Sequence, residues 1–283
     1  MGRARSLSEL STLAVIGAGR IGQAIIKSVR RCANNLRVVA TARRDETLRA
    51  ARALGVEVSR DNNYAVREAD LVILSVKPHH FPIVVKQVEP TAWRGRVVAS
   101  VMAGVRLRTL SEFLRGADVY RAMPNINVLV GMSTTAIALK DGMGESASLV
   151  EELFKCLGSV YWMPEEYIDI WTSIAGSSPA FLAEIIDAMV LGAVAAGMNR
   201  DLAYRAILDV LEGTAKLLKE VPHHPARMRD EVTTPAGTTI RGLMVLESEG
   251  VKAALMKTIE TSSRRSAEIG ELIDRKVREA LTP

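Results

Sequence analysis

Seven residues, Thr233-Thr-Pro-Ala-Gly-Thr-Thr239, bring four hydroxyls to a turn of small residues, and an apolar, helix-like run follows them. A helix that starts in such a turn directs unpaired backbone N–H groups outward. Those donors suit a carboxylate or a phosphate. Threonine is also a common helix cap. The residues alone therefore leave two readings open: an ordinary capped helix, or an anion cradle flanked by hydroxyls.

A second candidate lies near the start of the chain, Gly17-Ala18-Gly19-Arg20-Ile21-Gly22. This GxGxxG follows an apolar run ending at Ile16 and opens an amphipathic stretch, the context a dinucleotide-binding turn requires. Gly17 permits the tight turn, Gly19 lets the backbone approach a pyrophosphate, and Gly22 lets helix and strand pack closely. The end of the next strand reads Thr41-Ala42-Arg43-Arg44. An NAD site usually places an acid there for the ribose 2′-hydroxyl. Arginine instead suits a 2′-phosphate, through planar charge-assisted bonds. NADPH is the expected cofactor, with NADH a weaker substitute. Asp45, just after the arginines, is the competing detail.

The elements that must position these residues alternate in the first half. Strand patterns fall at 12–16, 36–41, 56–58, 70–76, 96–101, 119–120 and 134–139, with helix patterns at 20–32 and 46–54. Apolar strands alternating with helices imply a parallel sheet covered on both faces, a doubly wound α/β fold of Rossmann type. Strand signals stop near residue 163, and 165–198, 200–220 and 236–281 read as long helices. The expected division is a nucleotide-binding domain over 1–163 and an all-helical domain over 164–283.

Composition narrows the function. The chain has 283 residues, 48% hydrophobic but only 4% aromatic, so its core must be aliphatic. Residues 1–163 carry a net +9 and residues 164–283 a net −4. A basic first half favours an anionic ligand. Aromatic interleaving and zinc-finger spacing are both lacking, which argues against nucleic acid. Cys32 and Cys156 form no CxxC pair and read as structural thiols of a reducing cytosol. The histidine pairs 79–80 and 223–224 lack metal-site spacing, so no metal is expected. Residues 1–11 have no apolar h-region of a signal peptide. Ile174–Met198 is long and apolar, but Glu184 and Asp187 lie in its middle. Each mid-span acid costs about 2.5–3.5 kcal/mol on insertion scales. A buried helix, or one at a subunit interface, fits better than a membrane span.

The pattern His224-Pro225, Arg229-Asp230, Thr233 through Thr239, Gly242-Leu243 and Leu246-Glu247 resembles the C-terminal signature of pyrroline-5-carboxylate reductases, the enzymes that make proline. The resemblance runs from about residue 12 to about residue 270, and Ala175-Gly-Ser-Ser-Pro-Ala-Phe181 resembles the family's GSGPAY. It implies hydride transfer from NADPH to the imine carbon of 1-pyrroline-5-carboxylate, giving L-proline. Ile16 through Gly22, Thr41, Arg43 and Arg44 would then hold the cofactor. Ser75-Val76-Lys77-Pro78 would run beside the nicotinamide ribose, Met102 and Ala103 near the nicotinamide, and Asn62 at the adenosine ribose. Thr234, Ala236, Gly237, Thr238 and Thr239 would form the substrate cradle. The N–H groups of Gly237 and Thr238 would hold the carboxylate, and the Thr239 hydroxyl would lie near the ring nitrogen as the catalytic hydrogen-bonding group. The resemblance also implies an obligate dimer in which the facing helical half comes from a second subunit, or a pentamer of such dimers.

The chain departs from the family in places. Arg20-Ile21 stands for Asn-Met, Pro124-Asn-Ile-Asn-Val128 for PNTPA, PAG for PGG at Ala236, Phe181 for tyrosine, and Pro222 for an acid. Three rivals remain. A reductase of another imine would keep most of these features. A β-hydroxyacid dehydrogenase would place a catalytic lysine in the long helix, and residues 171–198 contain none. A non-catalytic NADP-binding regulator would keep GxGxxG and lose the cradle.

Overall fold

The computed structural model describes residues 6–139, 144–221 and 224–282. Pro222 and His223 lie outside these residues, as does the chain's start through residue 5. The alternating half runs β1 (Thr12–Ile16), α1 (Arg20–Cys32), β2 (Arg37–Thr41), α2 (Asp45–Arg52), β3 (Glu57–Ser59), α3 (Asn62–Glu68), β4 (Leu71–Leu74), α4 (Phe81–Gln87), β5 (Val97–Ser100), α5 (Leu107–Phe113), β6 (Asp118–Met123), β7 (Ser133–Ala138), α6 (Ala147–Lys155) and β8 (Gly158–Met163). The strands form one sheet in the order β3-β2-β1-β4-β5-β6-β7-β8. The first six positions follow the Rossmann order, with the order of strands reversing between the parallel neighbours β1 and β4.

Two details correct the expectation of a wholly parallel sheet of seven strands. β7 runs antiparallel to β6, pairing Ala122 with Ile137 and Met123 with Ala136. An eighth strand, β8, then pairs parallel to β7. β8 escaped the sequence pattern because it is an edge strand with no residue fully buried. The sheet separates two aliphatic clusters. Ile25, Ile26 and Val29 of α1 pack with Leu153 and Phe154 of α6 on one face. Val66 of α3, Phe81 and Val84 of α4 and Leu110 of α5 pack on the other.

The helical half comprises α7 (Ile168–Trp171), α8 (Ser178–Ala195), α9 (Arg200–Glu220), α10 (Pro225–Glu231), α11 (Thr238–Ser248) and α12 (Val251–Leu281). A π-helical segment, Thr172–Ser177, joins α7 to α8. The run expected as one helix over 236–281 is two, because Gly250 adopts φ +66° between α11 and α12. A left-handed residue past a helix end is a usual stop signal.

Compactness groups Met1–Gly176 with Ser262–Pro283, and leaves Ser177–Thr261 as a second unit. The change from sheet to helix does fall at Met163–Pro164, but the last turns of α12 belong with the sheet unit. Asp274 there accepts from the Arg106 N–H at 2.8 Å and the Thr109 hydroxyl at 2.9 Å. Within the second unit α8 packs against α9. The expected burial of the long apolar helix does not occur within the single chain. Leu182, Met189 and Leu191 of α8 are each about half exposed, and so is Leu202 of α9.

One ion pair in the sheet unit stands out energetically. The Arg121 guanidinium on β6 is buried and bonds Glu165 at 2.8 Å, while Glu165 also accepts from the Leu107 N–H at 2.7 Å. Removing one partner leaves a buried charge uncompensated. Glu165→Ala is expected to cost about 3 kcal/mol of stability, read as a lower midpoint in urea unfolding. Loss of less than about 1 kcal/mol would mean that water replaces the carboxylate at Arg121.

Candidate functional site

The residues expected at the cofactor come together at the carboxyl ends of β1, β2, β4 and β5, around the point where strand order reverses. This is where open α/β sheets bind ligands. Apolar β1 ends at buried Ile16, and the chain turns sharply at Gly17, with φ +95°. A Cβ on Gly17 would stand 2.6 Å from Val76 Cγ1 and 2.9 Å from the Val76 nitrogen. A Cβ on Gly22 would meet the Gly17 carbonyl at 2.6 Å and Ser75 Oγ at 2.9 Å. Around Gly19 no atom of the described residues, beyond the adjoining ones, lies within 4 Å of where a Cβ would stand. Gly17 and Gly22 therefore fit the β1–α1 turn against β4, and Gly19 opens onto free space.

The donors in this turn divide into two sets. The N–H groups of Gly17 and Ala18 both donate to the Thr41 carbonyl, at 3.1 and 2.7 Å, and the Gly19 N–H donates to the Gly17 carbonyl at 2.8 Å. The Arg20 and Ile21 N–H groups, in the first turn of α1, have no intramolecular partner among the described residues. A first helical turn with open donors binds anions. Ala18 thus shapes the turn, whereas Arg20 and Ile21 present donors, with the exposed Arg20 side chain adding charge.

Thr41 is buried and its hydroxyl donates to Asn62 Oδ1 at 2.7 Å, while Asn62 Nδ2 donates to Gln87 at 2.7 Å. This tie holds the end of β2 to the start of α3. Ser75 Oγ donates to the Gly17 carbonyl at 2.7 Å, fastening β4 to the glycine turn. Val76 packs on Gly17, exposed Lys77 follows, and Pro78 opens a short 3-10 turn over Pro78–His80. Met102 is buried beyond β5 and Ala103 is exposed.

Arg43 and Arg44 are both exposed at the end of β2. Arg43 donates to His80 Nε2 at 2.7 Å. That nitrogen must be unprotonated to accept. Burial, then Arg43, then His79 hold the His80 pKa below its ordinary 6.5. A depressed histidine pKa favours the neutral ring, so the contact persists through neutral pH and is lost as pH falls through that lowered value. Nothing in the spacing of the histidine pair points to this brace for Arg43, which only the fold creates.

The second candidate is described within its own unit. His224 caps α10 through Nδ1, which accepts from the Ala226 N–H at 3.2 Å. Thr233 Oγ1 donates to the Arg229 carbonyl at 2.6 Å. The turn then closes by a bond from the Gly237 N–H to the Thr234 carbonyl at 3.1 Å. This changes one expected role, since the Gly237 N–H is engaged inside the turn. The N–H groups of Thr238 and Thr239, the first two residues of α11, have no partner among the described residues and are the available donors. Pro235 followed by Ala236 at φ +55° makes the turn type II in character, a type that favours glycine at its third residue. Ala236 stands at that residue and is strained there. Ala236→Gly is expected to stabilise the protein by about 0.5–1 kcal/mol, after allowing for glycine's freedom when unfolded. A lower melting temperature for the variant would show that the turn does not store this strain.

Comparison with known proteins decides the family. The rat protein "pyrroline-5-carboxylate reductase 3" is 35% identical over 272 residues, covering 95% of this chain and 99% of its own length. The chain belongs to the pyrroline-5-carboxylate reductase family. The pyrroline-5-carboxylate reductase of Methanosarcina acetivorans is also 35% identical, over 93% of this chain and 99% of its own. A family model described as pyrroline-5-carboxylate reductase dimerisation matches residues 165–269, and one described as NADP oxidoreductase, coenzyme F420-dependent, matches 12–104. A pyrroline-5-carboxylate reductase structure from Coxiella burnetii superimposes with a TM-score of 0.84 at 25% identity, over 91% of this chain and 98% of that one. The Rossmann-type sheet and the helical C-terminal half are those of the family.

Proposed function

We infer that this chain is an NADPH-dependent oxidoreductase acting on a C=N bond, reducing 1-pyrroline-5-carboxylate to L-proline. The observation that carries this is the co-occurrence, in a chain of the family, of a fitted GxGxxG turn with two exposed arginines at the end of β2. A family model of NADP oxidoreductases over 12–104 supports the same cofactor. NADH is a weaker substitute.

Arg20 and Ile21 bind the pyrophosphate through their open N–H groups, and Arg43 and Arg44 take the 2′-phosphate. Ser75 through Pro78, Met102 and Ala103 line the nicotinamide end, and Asn62 lies at the adenosine ribose. When bound, the reduced nicotinamide supplies the hydride. In the second unit, the Thr238 and Thr239 N–H groups and the positive end of α11 hold the substrate carboxylate. Thr234, Ala236 and Gly237 shape that turn. The Thr239 hydroxyl bonds the ring nitrogen and relays its proton from water. Holding two reactants in register supplies about 7–11 kcal/mol of barrier lowering, so the residues act chiefly by placement.

The exposed apolar residues of α8 and α9 support a dimer, as does the dimerisation model over 165–269. The assembly is that dimer or a pentamer of such dimers, in the cytoplasm, with no membrane or nucleic-acid partner. As a functional division, residues 1–163 serve the cofactor and residues 164–283 the substrate and the dimer, although residues 164–176 and the last turns of α12 group with the sheet unit. The direct test offers 1-pyrroline-5-carboxylate beside six-membered imine acids and 2-keto acids and follows NADPH consumption. Turnover with the five-membered imine, reduced in kcat by Thr239→Val, is expected. Turnover confined to another imine would move the substrate. NADPH binding with no turnover would leave a regulator. Light scattering that finds an active monomer would overturn the dimer.

A further inference from the structure

Asp45 is the one acid in residues 41–45, directly after the two arginines. A free carboxylate in this loop would repel a 2′-phosphate and accept from a 2′-hydroxyl. The structure does not leave it free. The Arg60 guanidinium, from the β3–α3 loop, forms an ion pair with Asp45 through Nη2. Its Nη1 donates to the Arg43 carbonyl at 3.0 Å. One planar fork therefore engages the loop's acid and fastens the backbone of a phosphate-reading arginine. Alongside it, the Ala42 N–H donates to the Ser59 carbonyl at 3.4 Å. From the side-chain direction, His80 braces Arg43 at 2.7 Å.

We propose that Arg60 is a positioning and specificity-determining residue for the cofactor: it withdraws Asp45 and fixes the Arg43 backbone, turning the loop from a 2′-hydroxyl site into a 2′-phosphate site. The proposal rests on Arg43 and Arg44 reading the 2′-phosphate. Nothing in the spacing of residues 41–45 points to a partner fifteen residues away. Only the fold brings the two loops together, through the parallel pairing of β2 with β3, Thr41 opposite Ser59. Arg60 and Asp45 side chains are 58% and 70% exposed. Water and salt weaken such a pair, so the effect is a modest change in preference rather than a loss of activity.

The experiment measures KM and kcat for NADPH and NADH, each with 1-pyrroline-5-carboxylate, in the full chain and in Arg60→Gln, Asp45→Asn, the double variant and Arg43→Ala/Arg44→Ala. Arg60→Gln is expected to raise the NADPH KM about two- to fivefold and lower that of NADH, with kcat little changed. Adding Asp45→Asn to Arg60→Gln is expected to bring the NADPH KM back toward the wild-type value. Direct NADPH binding and melting temperature, measured on each variant, separate this from loss of fold. An unchanged ratio of the two KM values in Arg60→Gln overturns the proposal. So does a double variant as weak for NADPH as Arg60→Gln alone, which would make Arg60 a direct phosphate ligand. If Arg43→Ala/Arg44→Ala also leaves the NADPH KM unchanged, the site assignment itself has failed. If that pair weakens NADPH and Arg60→Gln does not, Arg60 alone is misassigned.

Discussion

Gly17→Ala and Gly19→Ala are expected to fail in opposite ways. At Gly17 the backbone holds φ +95°, and a methyl would press on the Val76 side chain and backbone. The strained conformation alone costs about 1–3 kcal/mol, and the overlap forces β4 away from the turn. For a chain of this size each kcal/mol lowers the melting temperature by about 2–4 °C, so Gly17→Ala loses stability and cofactor affinity together. At Gly19 a methyl meets no atom of the described residues within 4 Å beyond the adjoining residues. Gly19→Ala is expected to melt within about 2 °C of wild type. Its NADPH KM is expected to rise about ten- to hundredfold, equivalent to about 1.4–2.8 kcal/mol, because the methyl would occupy the space proposed for the pyrophosphate. Thermal melts with and without NADPH separate the two. A Gly19→Ala protein that keeps its ligand-induced shift would show that the dinucleotide does not approach there.

Removing both cations at the end of β2 carries the other large effect. Arg43 and Arg44 are exposed, and neither pairs with a carboxylate side chain among the described residues. A hydrogen bond to a charged group contributes about 1.5–3 kcal/mol. Arg43→Ala/Arg44→Ala is therefore expected to raise the NADPH KM about ten- to hundredfold and to change the NADH KM by less than about twofold. An equal loss for both cofactors would mean that the arginines hold the loop and do not read the phosphate.

Both predictions rest on residues legible in the sequence. β1 and α1 were readable to the residue, because an apolar run stops at a glycine and an amphipathic pattern starts three residues later. The fold gives a physical reason for two of these glycines, a positive φ at Gly17 and close packing at Gly22. What the sequence did not carry is through-space pairing. His80 meets Arg43 from 37 positions away and Arg60 meets Asp45 from 15, across loops that only sheet order brings together. The eighth strand was hidden by its half-buried edge position, and the break before α12 by an isolated glycine in an otherwise helical pattern. The engagement of the Gly237 N–H by Thr234 was likewise invisible, because it depends on Ala236 taking a conformation that alanine seldom adopts.

The most direct test of the central claim is isotope transfer. NADPH carrying deuterium at the transferable C4 position is incubated with the chain and 1-pyrroline-5-carboxylate, and the product is analysed by mass spectrometry and NMR. L-proline with one deuterium, placed on the former imine carbon, and stoichiometric formation of NADP are expected. Proline without deuterium, or cofactor oxidation with no proline formed, would contradict it.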